Sequence, residues 1–220
     1  YRFKIGSSRS QPSAFSKSSS SASEHSGVKR VAICEIRFTI MDISFLVNFG
    51  DCFEVAMQRD KYPEKIWRKM MDINLTTPFL MVKEILPVMR KNKFGRIINI
   101  ASTHGLIASI NKSAYTATKH GLIGLTKVTA LETAKENITC NSICPGYVLT
   151  KLIQDQIDFI AKKKKISNQK AEIELLKEKQ PSLQFVKKND VASLIYYLSS
   201  EADNQITGSN IPIDGAWTSQ

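Results

Sequence analysis

The stretch Arg96–Ala101, RIINIA, is nearly continuously apolar. Such a run is typical of a strand buried on both faces of a parallel sheet. Helical patterns flank it, because residues 75–91 repeat apolar side chains every three or four positions and residues 111–134 form another long helical segment. A second apolar strand follows at Ile138–Cys144 and ends at a Pro-Gly pair. This alternation predicts an α/β protein whose parallel sheet is covered by helices on both sides.

Further elements are predicted outward from this centre. They are a strand at residues 43–47, helices at residues 63–71 and 154–179 (the latter polar and exposed), a helix capped by Asp190 and ending at Leu198, and a last strand at residues 206–213. Pro87 falls inside the helix at residues 75–91 and predicts a kink or an early end. Gly121 and Gly124 predict close packing of the long helix at residues 111–134.

Composition narrows the class of protein. The chain has 220 residues, of which 42% are hydrophobic and 23% are charged, as in an ordinary globular domain. These values exclude a collagen-like or wholly disordered chain, and no apolar run is long enough to predict a transmembrane helix. The net charge of +11 is compatible with nucleic acid, an anionic membrane surface or a small anionic substrate. Since no nucleic-acid module is recognisable, we expect a small-molecule partner, no nucleic acid and no membrane.

The N-terminal segment differs from the rest. Residues 7–26 contain eleven serines and almost no core-forming side chains, so we expect residues 1–27 to be disordered and residues 28–220 to form a single α/β domain. The segment has Arg2, Lys4, Arg9 and Lys17 but no acidic residue before Glu24. We expect a cytoplasmic protein, with a mitochondrial transit peptide as the alternative. Because the chain begins with Tyr1 rather than Met, we expect a fragment or an incomplete gene model.

The four cysteines do not indicate a disulfide framework. Cys34, Cys52, Cys140 and Cys144 contain no Cys-x-x-Cys pair, and the chain is too long for a small disulfide scaffold. We expect buried, reduced thiols and no metal site.

Three residues predict acid–base chemistry on a hydroxyl group. Ser102 ends the Arg96–Ala101 strand, and Tyr115 and Lys119 follow four residues apart on one face of the long helix. A free tyrosine titrates near ~10, and a nearby ammonium group favours the phenolate. Ser102 could hold a substrate oxygen opposite the phenol. This arrangement suits proton transfer at a hydroxyl while a hydride leaves its carbon.

The same residues, with the PGYVLT segment at residues 145–150, resemble the short-chain dehydrogenase/reductase family. The resemblance implies a Rossmann-like, doubly wound parallel sheet and an oxidoreductase in which Ser102, Tyr115 and Lys119 are catalytic. Asn74 matches the family's fourth catalytic position, where it would hold a water that relays protons to the lysine. The alternative for Asn74 is a helix-capping or turn residue.

A narrower resemblance concerns the substrate. The segments IINIASTHGL (97–106), AYTATKHGLIGLTK (114–127), LETAKENITCNSICPGYVLT (131–150) and EKQPSLQF (178–185), together with DGAW (214–217), are similar to bacterial-type 3-hydroxybutyrate dehydrogenases. The match covers residues 42–220. It implies that His104, Lys112, Gln156 and Trp217 bind the substrate, the polar ones through its carboxylate. Without it, Lys112 and His104 would be interpreted as solvated loop residues and Trp217 as part of the core.

The resemblance also implies a cofactor and an assembly. Pro145, Gly146 and Val148 would frame a nicotinamide ring, and Thr150 would bind its amide. Tyr115, Lys119 and Asn48 would lie around the nicotinamide ribose. The implied cofactor is NAD, the implied reaction is the interconversion of 3-hydroxybutyrate and acetoacetate in ketone body metabolism, and the implied assembly is a homotetramer.

The chain departs from the family in its cofactor half. The Gly-rich turn that binds pyrophosphate at a helix N-terminus is not found, since Gly6 and Gly27 are isolated in polar sequence. The family's Asn-Asn-Ala-Gly segment is replaced by Val47-Asn48-Phe49-Gly50, and Glu54, near the position of a substrate glutamine, would repel a carboxylate. The sheet is therefore expected to be N-terminally truncated or incomplete.

Two classes of function follow from this departure. One is an NAD-dependent hydroxy-acid dehydrogenase. The other is a catalytically inactive member of the family that binds a carboxylate or a partner subunit. For the 220-residue chain as given, we expect weak NAD binding.

Overall fold

The computed structural model describes residues 39–42, 45–48, 56–200 and 205–219, with only the backbone described for residues 39–42. The strands in these ranges are β1 (Thr39–Asp42), β2 (Phe45–Asn48), β3 (Gly95–Ile100), β4 (Ile138–Pro145) and β5 (Asn210–Ile213). The α-helices are α1 (Glu64–Met71), α2 (Thr77–Asn92), α3 (Ser113–Glu132), α4 (Lys151–Lys164), α5 (Asn168–Lys177) and α6 (Lys188–Leu198).

The strands form one sheet in the order β1-β2-β3-β4-β5. Strands β2 to β5 are parallel, which confirms the predicted α/β class, whereas β1 pairs antiparallel with β2 and was not predicted. In the register, Asn48 stands opposite Asn99, and Asn99 stands opposite Ser142. The carboxyl ends of β3 and β4 therefore lie side by side, at the edge where α/β proteins place their ligands.

Both faces of the sheet are covered, which explains why β3 and β4 are buried along nearly their whole length. On one face, Leu46, Ile97 and Cys140 pack with residues of α2 and α3. On the other face, Ile98 and Ile143 pack with Leu198 of α6 and its neighbours. Because successive side chains of a strand point to opposite faces, a strand in this position needs apolar residues at nearly every position.

Helix α2 continues a longer helical segment. The α1 helix passes through a π-helical turn, Asp72–Thr76, directly into α2. Pro78 occupies the first turn of α2, where its missing N–H costs least, and Pro87 lies inside the helix. The predicted early end at Pro87 is wrong, since α2 continues to Asn92. Leu86 and Met89 are buried on either side of Pro87, and this packing offsets the lost backbone hydrogen bond.

The long helix α3 lies where the sequence predicted it, with ends two residues inside the predicted ones. At Gly121 a Cβ would approach the Leu75 Cδ2 atom to 2.8 Å, which confirms close packing there. At Gly124 a Cβ would meet no described atom within 4 Å, so the prediction holds only at Gly121. Close packing at Gly121 brings the π-helical turn against the middle of α3.

The lysine-rich region is two helices rather than one. Lys165 ends α4 in the left-handed conformation, and the Ser167 hydroxyl accepts a hydrogen bond from the Lys170 backbone N–H at the start of α5. One side of the pair is buried, because Ile157 and Leu175 belong to a common apolar cluster. The prediction of a wholly exposed helix was therefore wrong, because the apolar positions of two separate helices face each other.

Asp190 is not the N-cap of α6. The cap position is Lys187, and Asp190 lies in the first turn, where a carboxylate interacts favourably with the helix dipole. Cys140 and Cys144 are buried free thiols, as predicted. Across the part of the chain that the structure describes, no helix combines the length and apolarity needed to cross a bilayer.

Several predictions concern residues outside the described ranges. They are the disordered segment 1–27, the thiols of Cys34 and Cys52, and the altered cofactor segment, Phe49 to Glu54.

Candidate active site

A cleft of about 460 Å³ opens at the carboxyl ends of β3 and β4. Eleven of the thirteen residues predicted for the site line it: Ser102, His104, Lys112, Tyr115, Lys119, Pro145, Gly146, Val148, Thr150, Gln156 and Trp217. These residues come from the loops after β3 and β4, from α3 and α4 and from the C-terminal turn. The structure therefore brings together side chains that lie more than 100 residues apart in the chain.

Tyr115 and Lys119 project from the first turns of α3 into this cleft. The Lys119 side chain is 1% exposed, and its Nζ donates a hydrogen bond to the Ile100 carbonyl oxygen at 3.0 Å. That carbonyl is at the carboxyl end of β3, so the sheet fixes the ammonium group. Its Nζ lies 5.6 Å from the centroid of the Tyr115 ring. A fixed positive charge at this distance stabilises a phenolate relative to a neutral phenol.

Ser102 lies just beyond β3 and is buried. The preceding residue, Ala101, extends the pairing with β4 through a 2.8 Å bond from its N–H to the Ile143 carbonyl. The Ser102 hydroxyl oxygen accepts a 3.2 Å hydrogen bond from the His104 N–H and so caps a short 3₁₀ turn, Thr103–Gly105. The hydroxyl hydrogen is left available for an acceptor in the cleft.

His104 is held between two aromatic rings. Its ring makes edge contacts with Tyr115, at 5.7 Å between centroids, and with Trp217, at 5.5 Å. Burial, together with the smaller effects of the positive charges of Lys179 and His120, lowers the pKa of His104 to about 4. The imidazole is therefore neutral at neutral pH. His104 can thus offer a ligand a hydrogen bond but no positive charge.

Lys112 is half-buried at the N-terminal boundary of α3. Burial lowers its pKa to about 8, with the charge of Lys179 adding to the effect. The ammonium form still predominates at neutral pH, and Tyr115 is three residues further along the chain. A carboxylate near Lys112 would therefore be held about one helical turn from the phenol.

An aromatic wall closes one side of the cleft. The ring of Trp217 lies 5.0 Å from that of Tyr147, and burial, reinforced by the charge of Glu178, raises the pKa of Tyr147 to about 12. The Gln180 Oε1 atom accepts a 2.9 Å hydrogen bond from the Tyr147 N–H, and its Nε2 donates to the Gln184 carbonyl. Gln180 thereby ties the segment after α5 to the loop after β4.

The loop after β4 faces the same cleft. Gly146 lies close to other backbone, since a Cβ there would come within 3.0 Å of the Asp214 Cα atom. Val148 forms an isolated parallel bridge with Val186. The Thr150 hydroxyl caps α4 by accepting a hydrogen bond from the Ile153 N–H. Backbone pairing fixes this loop, and its apolar side chains give the cleft a mainly hydrophobic border.

Asn48 and Asn74 are the two predicted residues that do not line the cleft. Asn48, at the end of β2, donates a 2.7 Å hydrogen bond from its Nδ2 to the Asn99 Oδ1. Its own Oδ1 has no hydrogen-bond partner among the described residues. Asn74 is fully buried in the π-helical turn, and neither polar atom of its side chain has a partner in the described part of the chain. A buried amide in this state has the capacity to bind a water molecule.

Tyr147 and Lys179 are among the cleft residues that were not predicted as site residues. Tyr147 lies within the PGYVLT segment, and Lys179 is the second residue of the EKQPSLQF segment. Both residues therefore belong to segments that carry the family resemblance. Periodicity gave no signal for Lys179, because it follows the end of α5 and its neighbours in space come from distant segments.

A family model described as enoyl-(acyl carrier protein) reductase matches residues 43–218. The chain is 49% identical over 175 residues to the D-beta-hydroxybutyrate dehydrogenase of Cupriavidus necator, an alignment that spans 80% of this chain and 67% of that protein. It is 45% identical over 190 residues to the protein of the same name from Rhizobium meliloti, spanning 86% and 72%. The chain belongs to the short-chain dehydrogenase/reductase family of oxidoreductases.

Solved structures agree with this assignment. The chain is similar to 4-hydroxyisoleucine dehydrogenase complexed with NADH, with a TM-score of 0.66 and 34% sequence identity. The alignment covers 80% of this chain and 70% of that protein. A variant of actinorhodin polyketide ketoreductase with NADPH is similar with a TM-score of 0.73 and 27% identity, over 80% and 68%. Members of the family with this fold thus occur with either dinucleotide.

Proposed function

We propose that this protein is an NAD-dependent dehydrogenase that interconverts 3-hydroxybutyrate and acetoacetate. The observation that carries the proposal is the convergence, in one cleft, of the Ser102–Tyr115–Lys119 group with Lys112 and its polar neighbours. The first group suits proton transfer at a hydroxyl, and the second suits a nearby carboxylate. The similarity to two bacterial D-beta-hydroxybutyrate dehydrogenases supports the same substrate.

The cleft fits the nicotinamide half of the cofactor. Its border of Pro145, Gly146 and Val148 offers apolar surface for the ring, and the Thr150 hydroxyl offers a hydrogen bond for the amide. We propose that Lys119 binds the adjacent ribose. When bound, the nicotinamide ring accepts the hydride that leaves the carbon of the alcohol. NAD rather than NADP is proposed from the similarity to the hydroxybutyrate dehydrogenases.

Tyr115 acts on the hydroxyl proton. In oxidation the phenolate takes the proton of the substrate hydroxyl as the carbonyl forms, and in reduction the phenol returns it. The Lys119 ammonium favours the phenolate, and the Ser102 hydroxyl donates a hydrogen bond to the substrate oxygen. We further propose that the buried Asn74 amide binds a water that relays protons toward Lys119, and that Asn48 orders the end of β2 beside the cofactor.

We assign substrate choice to the polar residues around Tyr115. The Lys112 ammonium attracts the carboxylate, and Gln156 and the neutral His104 donate hydrogen bonds to it. The Trp217 ring contacts the short aliphatic part of the substrate. Holding the carboxylate on one side of the hydroxyl orients the carbon that loses the hydride, which reduces the entropy cost of reaching the transition state.

The direct test is oxidation of 3-hydroxybutyrate by the purified chain at NAD concentrations well above its Kd, followed by NADH absorbance. Tyr115→Phe keeps the ring and removes the proton-transfer group, so turnover should fall by at least ~10²-fold. Tyr197→Phe, an exposed position on α6, is the matched control and should leave turnover unchanged. A Tyr115→Phe variant that retained more than a tenth of the activity would contradict this role.

The alternative, a non-catalytic carboxylate-binding protein, is favoured by one observation: the sequence lacks the Gly-rich turn. Calorimetric titration with 3-hydroxybutyrate distinguishes the two functions. Binding without NADH formation at any NAD concentration would support the alternative, whereas binding with turnover would support the dehydrogenase.

A homotetramer is proposed from the family resemblance. Exposed apolar side chains on α2 and α3, namely Phe79, Leu80, Val128 and Leu131, give the chain surface that an assembly would bury. Light scattering on the purified chain tests the mass of the assembly, and a monomer would contradict the proposal.

A further inference from the structure

Lys179 occupies the cleft but belongs to none of the groups described above as catalytic or substrate-binding. It follows α5, is half-buried and lines the cleft together with Lys112. Its Nζ lies 3.3 Å from the Ser109 Oγ and 5.4 Å from the centroid of the Trp217 ring. Because the Trp217 ring also contacts His104, Lys179 lies near one of the residues assigned to the carboxylate.

We propose that Lys179 binds the substrate carboxylate together with Lys112, and that this pair of ammonium groups selects small carboxylates over uncharged alcohols. The inference rests on the proposed function, since it deepens the description of the same site. It adds a residue to the substrate-binding group and does not change the reaction.

The first argument is the charge of the cleft. Its described lining contains Lys112, Lys119, Lys179 and Lys188 but no aspartate or glutamate. The Ser109 hydroxyl and the Trp217 ring are neutral, so neither compensates the Lys179 ammonium in charge. Glu178, the residue before Lys179, interacts with the Lys179 charge but less strongly than burial does, since the net effect is a lowered pKa of Lys179; its own side chain is exposed and does not line the cleft. The positive charge of this lining therefore favours the binding of an anionic ligand.

The second argument is that Lys179 is close enough for its charge to affect Lys112 and His104. The positive charge of Lys179 contributes to the lowered pKa values of both Lys112 and His104. Two ammonium groups that repel each other in a half-buried cleft raise the free energy of the empty site. A carboxylate bound between them removes that repulsion, whereas an alcohol does not.

The third argument is the way Lys179 is positioned. The side chain of its neighbour, Gln180, is 1% exposed and is bonded to the Tyr147 N–H and the Gln184 carbonyl. The backbone at Lys179 is also fixed, because its N–H donates a 3.0 Å hydrogen bond to the Leu176 carbonyl. The Lys179 side chain therefore extends into the cleft from a segment that hydrogen bonds hold in place. A residue that binds a specific ligand requires such a fixed backbone.

The test compares Lys179→Met, which keeps the aliphatic stem, with Lys179→Arg, which keeps the charge. Lys177→Met, an exposed lysine two residues earlier, is the matched control. Each protein is titrated calorimetrically with 3-hydroxybutyrate and assayed for its oxidation and for that of the uncharged analogue 1,3-butanediol. Thermal unfolding establishes that each variant is folded, and Lys179→Gln is a second neutral variant.

For Lys179→Met and Lys179→Gln we expect Kd and KM for 3-hydroxybutyrate to rise at least ~10-fold, with little change for 1,3-butanediol. Lys179→Arg should restore most of the affinity, and Lys177→Met should resemble the unmodified chain. Equal effects on both substrates, or no effect in either neutral variant, would overturn the role of Lys179 while leaving the dehydrogenase intact. An unmodified chain that neither binds nor oxidises 3-hydroxybutyrate would overturn the proposed function, and this inference with it.

Discussion

Acidification should destabilise this protein through His104. The imidazole is 7% exposed and packed between the rings of Tyr115 and Trp217, and its pKa is lowered to about 4 from an ordinary 6.5. Burial is the main cause, because the charged form loses its hydration, and Lys179 and His120 add repulsion. Between these two pKa values the unfolded chain binds more protons than the folded chain. The free energy of unfolding therefore rises with pH across this window and falls on acidification.

The size of the effect follows from the two pKa values. Each pKa unit corresponds to about 1.4 kcal/mol, so protonation of His104 should lower the free energy of unfolding by about 2 kcal/mol at pH 5 and about 3 kcal/mol at pH 4, relative to pH 7. Other groups titrate in the same range. The measurement is therefore the difference between the unmodified chain and His104→Gln, which keeps a neutral polar side chain and does not titrate.

Urea unfolding of both proteins at several pH values gives this difference directly. The stability of the unmodified chain should decrease more steeply than that of His104→Gln below pH 6.5, and the two curves should run parallel above pH 7. Parallel curves over the whole range would refute the reasoning, since they would show that the His104 ring titrates alike in the folded and unfolded chains. NMR titration of the ring measures the same pKa independently.

Three further predictions concern the cleft and its border. Gly146→Ala should lower the free energy of unfolding by about 1–3 kcal/mol, because the new Cβ would lie 2.5 Å from the Gln180 Oε1 and 3.0 Å from the Asp214 Cα; an unchanged urea midpoint would contradict this. The KM for 3-hydroxybutyrate should rise as the pH passes about 8 and Lys112 loses its proton, and Lys112→Met should abolish that rise and leave the KM for 1,3-butanediol nearly unchanged. Calorimetric titration of the 220-residue chain with NAD should give a Kd of ~1 mM or weaker, since its sequence contains no Gly-rich motif of the kind that offers backbone donors to the pyrophosphate; a Kd in the low micromolar range would disprove this.

Much of the fold could be predicted from local patterns. Strands β3 and β4 are buried at nearly every position because both of their faces are covered, and the apolar residues that this burial favours can be recognised in the sequence. The relation of Ser102 to Tyr115 and Lys119 was also predictable. Ser102 is located by the end of a strand, and Tyr115 and Lys119 by their four-residue spacing on one helix. Each of these positions can be recognised from the local sequence of its own segment.

Other features depend on segments that meet only in the folded chain. The antiparallel pairing of β1 and the π-helical turn that buries Asn74 left no periodic signal. The pairing of the Asn48 amide with Asn99 is set by strand register, which residue type alone does not specify. A sequence pattern constrains each element separately, whereas register depends on how the elements pack.

The site shows the same division. Residue types and spacing determined that a tyrosine, a lysine and a serine would meet at the carboxyl edge of the sheet. Only the tertiary structure decided that His104 is neutral, because its pKa depends on burial and on charges brought from other segments. Only the tertiary structure, likewise, placed Lys179 beside Trp217, 38 positions further along the chain. Electrostatic interactions act through space, so the charge and pKa of a site follow from distances that the linear order of residues does not contain.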